Sequence, residues 1–271
     1  MAAPCVVLLA LFAAGCGGSD SSSTAGATEA SSEKKGEVRV EWEEPRTEED
    51  ELGYELLEAG ETEEIITGLA ESFELPNRLL VQGINGIEGG PAYYPEDNAI
   101  VLPYQFATMV LGVMAESSPE ASEEEIGEQA GAVNSFILAH EFAHALIENL
   151  EFSVLGREED AADAISTALL LEVPNGDEYA ANAALFWAEV SGEGGHNLDE
   201  YADEHSLNIQ RALNILCWVA GSGEQAYEEV AESEALPEAR LERCPEEYEQ
   251  VVGSMEQELE PHLEGDASPE P

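Results

Sequence analysis

"FILAHEFAHALIENL", residues 136–150, is apolar at ten of its fifteen positions, yet it places His140, Glu141 and His144 within five residues of one another. Such a run, free of glycine and proline, reads as a helix. Side chains four apart on a helix share one face, one turn above the other. His140 and His144 therefore aim two imidazoles at a common point, and Glu141 follows the first directly. Upstream, Ser122 followed by Glu125 forms a capping-box pattern, so the helix opens there and runs to about Asn149.

The next segment, "GREEDAADAIS" (residues 156–166), repeats the spacing with acids: Glu159 and Asp163 are four apart on a second helical face. "NLEFSVLG" between the two helices is long enough to reverse the chain. Ala143, Ala161 and Ala162 are small enough for the helices to approach closely around an ion. Two neutral imidazoles and one carboxylate are the ligand set of a catalytic zinc, which keeps a fourth position for water. His140, His144 and Glu159 are the expected ligands. Glu141 is the expected general base towards a zinc-bound water. Asp163 is expected to accept a hydrogen bond from the free N–H of a ligand histidine and so fix its tautomer. Glu158 is set aside, because residue 162 is alanine and supplies no acid four positions on. The bland alternative is a core helix with two satisfied histidines in an acid-rich chain.

Charge developing on an attacked carbonyl needs a further donor. "DEHSLNIQR" (residues 203–211) offers His205 and Arg211. Asp203 and Glu204 flank His205 and favour its protonated form. His205 is the expected oxyanion donor, with Arg211 as the alternative; a surface ion-pair cluster would also account for both. His196 and His262 are expected to play no part.

Around this centre the chain reads as α+β. Residues 51–73 form one or two helical pieces broken near Gly60. Two short apolar runs, Leu79–Ile84 and Ala99–Leu102, flank turn signals and an aromatic strand around Tyr93 and Tyr94. They predict a small N-terminal antiparallel sheet, whose exposed edge could pair with an extended peptide. A mostly helical body follows. Beyond the two helices already named, segments 177–191, 198–221 and 245–263 each read as one helix.

The formal net charge is −50, from 9 Lys+Arg against 59 Asp+Glu, and lysine is absent after Lys35. Such a surface repels nucleic acid and anionic lipid headgroups. It suits a high-salt habitat, where counterions screen self-repulsion.

The N-terminus, "MAAPCVVLLALFAAGCGGSD", carries an apolar run too short to span a bilayer. It reads as a signal peptide (residues 1–15) whose "FAAGC" ending resembles a lipobox, making Cys16 the lipidated first residue of the mature chain. The n-region lacks a cation, and Ala13 stands where a larger aliphatic residue is usual, so simple secretion is the alternative. Residues 16–47 then form a flexible polar tether, residues 48–264 the folded domain, and residues 265–271 a disordered tail. The expected location is the extracytoplasmic cell envelope. Cys217 and Cys244 remain, and in an oxidising compartment they are expected to pair as a disulfide, separate buried thiols being the alternative.

The stretches "AYYPEDNAIVLPY", "HEFAHALIENLEFSVLGREEDAAD", "DEHSLNIQRALNILCW" and "LPEARLERCPEEYEQ" resemble a family of bacterial secreted or lipoprotein metallopeptidases of otherwise unknown function. That family is similar to the zincins with a glutamate ligand, the broad group containing thermolysin-like enzymes. The resemblance covers most of residues 75–263. It implies a zincin-like fold, a metal site at His140, His144 and Glu159, and a catalytic Glu141, but no substrate; peptide or protein substrates are expected from the metallopeptidase signature itself. The acidity and the signal region are where this chain departs from it. Three functions compete on sequence alone: a zinc peptidase tethered to the envelope, an envelope zinc protein that binds peptides or partners without turnover, and an acidic structural or calcium-loaded lipoprotein. An intact Glu141 favours the first, since a binding protein has no chemical need of it.

Overall fold

The computed structural model describes residues 37–59, 62–192, 198–259 and 262. The expected signal segment, Cys16, residues 16–36 of the tether, His196 and the 265–271 tail lie outside the described residues. Strand β1 (Val38–Trp42) is followed by helices α1 (Glu48–Ala59) and α2 (Thr62–Ala70), then strands β2 (Leu79–Ile84), β3 (Ala92–Tyr94) and β4 (Ala99–Pro103). The helical body comprises α3 (Tyr104–Ser117), α4 (Glu123–Asn149), α5 (Glu158–Leu170), α6 (Gly176–Glu189), the short α7 (Leu198–Ala202), α8 (Asn208–Gly221), α9 (Glu224–Ser233), α10 (Glu238–Leu241) and α11 (Cys244–Leu259). The class is α+β, with a small N-terminal sheet and a mostly helical body.

The strand directions differ from expectation. The sheet order is β1-β2-β4-β3. β1 pairs with β2 and β2 with β4 in parallel, and only the β3–β4 pair is antiparallel. The reason is the connections. Helices α1 and α2 carry the chain back to the starting end between β1 and β2, as a parallel neighbour requires. After β2 the chain passes over one strand position, returns as β3 at the sheet edge, and fills the gap as β4. β1 itself falls within residues expected to be tether. Its period-two pattern, Val38, Val40 and Trp42, was the available signal. Trp42 packs over β2 at Gly83, where a Cβ would lie 2.2 Å from the indole ring, so the close approach demands glycine.

Helix α4 is the axis of the domain. Its start is the predicted capping box: the Ser122 N–H donates to Glu125 Oε2 (2.7 Å), and the Glu125 N–H donates to Ser122 Oγ (3.3 Å). From Ala132 to Ile147 every residue is buried. A helix buried on all sides needs neighbours all round, and α3, α5, α6, β3 and β4 supply them. The two histidines are thus held by core packing rather than by a surface loop.

The single helix expected over 198–221 is broken at residues 203–207. The Asp203 carboxylate accepts the His205 backbone N–H at 2.9 Å, and Gln210 Oε1 accepts the Leu207 N–H at 3.2 Å. Local side-chain bonds of this kind compete with helical ones, and the break delivers His205. Cys217 of α8 and Cys244 of α11 are joined by a disulfide. Among the described residues, no helix is long and apolar enough to cross a membrane.

Candidate metal centre

α4 presents His140 and His144 one turn apart, and α5 brings Glu159 over them. His140 Nε2 lies 3.1 Å from Glu159 Oε2, His144 Nε2 lies 3.3 Å from the same oxygen, and the two Nε2 atoms are 3.3 Å apart. Three donor atoms therefore form a nearly equilateral triangle. An ion with bonds of ~2.0–2.1 Å to a tetrahedral set spaces its donors roughly 3.3–3.4 Å apart. The triangle has the dimensions of one face of that tetrahedron, so these residues fit a zinc-sized ion.

The outer ring nitrogens support this. His144 Nδ1 lies 2.8 Å from Glu158 Oε1, and His140 Nδ1 lies 2.9 Å from Asp163 Oδ1. The His140 contact is close but off the line of the ring N–H, so it acts by charge more than as an aligned hydrogen bond. Carboxylates behind both rings favour the tautomer protonated at Nδ1 and turn both Nε2 lone pairs inward. Two lone pairs facing each other and a carboxylate oxygen call for a cation between them.

Asp163 is itself fixed. It is 2% exposed, and Arg211 of α8 reaches it with two bonds of 2.7 Å, Nε to Oδ2 and Nη2 to Oδ1. The guanidinium also lies over the Trp187 ring of α6, 3.9 Å from its centroid. The alternative oxyanion donor from the sequence is thus engaged by a carboxylate and stacked on an indole. His205 lies nearer the ligand atoms: its Nε2 is 3.0 Å from Glu159 Oε2, and its Nδ1 is 3.0 Å from Asp203 Oδ1. The ligand atoms of His140, Glu159 and His205 all lie within 4.8 Å of one another.

The electrostatics point one way. Burial alone would raise Glu159, but hydrogen bonds from the His140, His144 and His205 rings in their protonated form override it and hold its carboxyl far below the usual range; a metal ion would take the place of those protons. Burial pushes the His144 ring down, yet Glu159 and Glu158 carry it up to about 9. His140 is raised in the same manner by Asp163 and Glu159 against burial. Asp163 is held at about 2, since Arg211 and His140 outweigh its burial. The acids around the histidines concentrate affinity for positive charge, whether proton or metal. Glu141 behaves differently: burial raises it, while the charges of His140 and His144 and the Tyr93 backbone N–H pull it down.

His140, Glu141 and His205 line a cleft of about 650 Å³, bounded by the Gly89–Pro91 loop ahead of β3 and by Phe106, Ile137 and Trp187. His262 packs near Phe152 and lines a different pocket. The expected residues His140, Glu141, His144, Glu159, Asp163 and His205 are thus brought together. Three features escaped the sequence: Glu158 behind His144, Arg211 behind Asp163, and Trp187 under Arg211. Only the adjacency of Glu158 to Glu159 could have hinted at the first. The other two depend on how α6 and α8 cross α5.

The sequence model of one family, DUF4344, described as "Putative metallopeptidase", matches residues 42–259. Comparisons with curated proteins and with solved structures returned no match.

Proposed function

The chain belongs to this metallopeptidase family, and on that premise we propose that it is a zinc-dependent hydrolase of peptide bonds with Glu141 as general base. The carrying observation is the triangle of His140 Nε2, His144 Nε2 and Glu159 Oε2 beside the cleft. Those three residues would hold the ion, and two imidazoles with a carboxylate suit zinc. When bound, zinc polarises a carbonyl and lowers the pKa of a neighbouring water.

The remaining roles follow from the protein's own groups. Glu141 follows the first ligand in sequence, is buried, and opens onto the cleft. Burial raises its proton affinity, which suits a carboxylate that takes a proton from water and returns it to the leaving amine. His205 faces the same space, where an N–H donor would meet charge developing on the attacked oxygen. Asp163, Arg211 and Glu158 orient the ligand rings. β3 is one of the two edge strands of the sheet and follows the Gly89–Pro91 loop that lines the cleft, so an extended peptide has a backbone edge nearby with which to pair.

We also place the protein outside the cytoplasm, anchored through lipid on Cys16. The signal-like residues 1–15 and the Cys217–Cys244 disulfide support this. Loss of fatty-acid labelling in Cys16→Ser supports the anchor, and an unlabelled wild type overturns it.

The test of the activity compares wild type and Glu141→Gln for bound metal and for cleavage of a peptide library. Zinc retained in both, with turnover lost only in the variant, is expected. Turnover that survives in Glu141→Gln removes the assigned base. Zinc bound by both and turnover by neither leaves a peptide-binding protein, and no bound transition metal removes the centre.

A further inference from the structure

His205 belongs to neither metal-motif helix. It sits in the break between α7 and α8, with its side chain 37% exposed. Both ring nitrogens face acceptors, Asp203 Oδ1 and Glu159 Oε2, each at 3.0 Å. A neutral imidazole has one N–H and satisfies one of them. The local geometry decides which. Asp203 Oδ1 also accepts the His205 backbone N–H at 2.9 Å, closing a turn that holds Nδ1 against that oxygen. The Nε2 lone pair is then left facing Glu159 Oε2. Lone pair against lone pair is repulsive, so a positive charge, a proton or a metal ion, belongs at that contact too. This is the arrangement found at His140 and His144: a carboxylate behind Nδ1, and Nε2 turned to the shared Glu159 oxygen.

Distances from Glu159 and His140 allow the ion to be shared. Two donors on one zinc ion are separated by at most roughly 4.2 Å, given bonds of ~2.0–2.1 Å. His205 Nε2 is inside that limit from Glu159, and within 4.8 Å of the His140 ligand atom. A side-chain shift of less than about 1 Å brings the His140 distance within the same limit.

Resting on the metallopeptidase reading, we propose that His205 is a fourth protein ligand of the metal ion when no substrate is bound, and that substrate displaces it. The four ligands then differ in mobility. His140 and His144 are locked in a buried helix, and Glu159 is largely covered. His205 is held by the Asp203 turn and by Arg157, which donates to its backbone carbonyl. It is the one donor that can leave without unpacking the core. A four-ligand site is closed, as structural zinc sites are, whereas a catalytic site needs a free position. Moving one loop side chain converts the first into the second. The displaced ring stays beside the cleft, where Nε2, once it has taken a proton from solvent to give the imidazolium, can serve as the donor described above. The two roles exclude each other in time.

The experiment is X-ray absorption of the zinc-loaded protein, which counts imidazoles around the metal, combined with chelator competition. Three imidazoles in wild type and two in His205→Ala are expected, with at least about a tenfold loss of zinc affinity in the variant. Asp203→Asn, which loosens the ring without removing it, should give an intermediate affinity. A dipeptide hydroxamate, as substrate mimic, should lower the wild-type count from three to two. Two imidazoles in ligand-free wild type, with zinc affinity unchanged in His205→Ala, overturns the proposal while leaving the metallopeptidase reading intact. A wild type that binds no zinc overturns both. A count of three that persists with the hydroxamate bound overturns the displacement.

Discussion

Arg211 clasps Asp163 through two parallel bonds of 2.7 Å, and Asp163 stands 2.9 Å from His140 Nδ1. Arginine and aspartate are 4% and 2% exposed, so the pair is buried with the metal-facing ring as its neighbour. A buried pair need not stabilise a fold relative to apolar residues, but breaking one side leaves an uncompensated charge. Arg211→Met is therefore expected to cost about 3–5 kcal/mol, read as a lower urea midpoint. Combining it with Asp163→Asn should recover part of that loss, because the stranded charge is gone. A double variant as unstable as Arg211→Met would show that the pair is not the source.

The carboxylates behind the two rings are not equivalent. Asp163 is buried and pinned, whereas the Glu158 side chain is 54% exposed. Solvent weakens the hold of an exposed acid on a ring, and salt weakens it further. Asp163→Asn should lower zinc affinity by about 10–100-fold. Glu158→Gln should lower it less, with a loss that shrinks in high salt. Equal losses for the two variants in chelator titrations would contradict this.

These residues show where the sequence was legible. H-E-x-x-H and E-x-x-x-D encode convergence within single helices, whose geometry is fixed by the backbone, and the structure brings all five side chains to one place. Glu158 was dismissed by the same spacing rule, yet it reaches His144 because α5 begins at that residue. The Arg211–Asp163 bond spans 48 positions and depends on how α8 crosses α5. Strand direction was hidden for a similar reason. Leu79–Ile84 and Ala99–Leu102 announce strands by composition, but whether neighbours run parallel is decided by the path of the chain between them. The break at 203–207 could be read only by weighing the Asp203 side chain against a helical pattern that continues on both sides.

Asp50 gives a pH dependence away from the metal. It accepts the Gly86 N–H at 2.9 Å, the Thr47 hydroxyl at 2.8 Å and the Gln105 amide at 3.2 Å, tying the start of α1 to the loop after β2. Burial would raise its pKa, but these donors together hold it below the usual 3.8. A depressed folded value means stabilisation that is full above the unfolded pKa and lost as pH falls through the folded one. The residue is 2% exposed, though covered only by a thin layer of chain, so solvent still screens the charge. Asp50→Asn is expected to cost about 1–2 kcal/mol at neutral pH. The gap from wild type should narrow as pH drops from about 5 to below 3.8. A gap independent of pH in denaturant titrations would assign the effect to shape rather than charge.

The disulfide tests whether the fold and the centre are separable. Cys217 and Cys244 are 27 positions apart and link α8 to α11. Closing a loop of that size restricts the unfolded chain and contributes about 3–4 kcal/mol. Both cysteines are fully buried in the main core, and Gly221 one turn on is so close to α11 that a Cβ would lie 2.3 Å from the Cys244 carbonyl oxygen. That packing is independent of the bond and should keep α8 in place once the fold forms. Cys217→Ala with Cys244→Ala should therefore lower the melting temperature while zinc stoichiometry and affinity at 25 °C stay near wild type. Arg211 sits on the same helix, six residues before Cys217, and acts as an internal reporter. If the bond were needed to aim α8, the double variant would loosen Arg211 from Asp163 and weaken zinc binding together with stability.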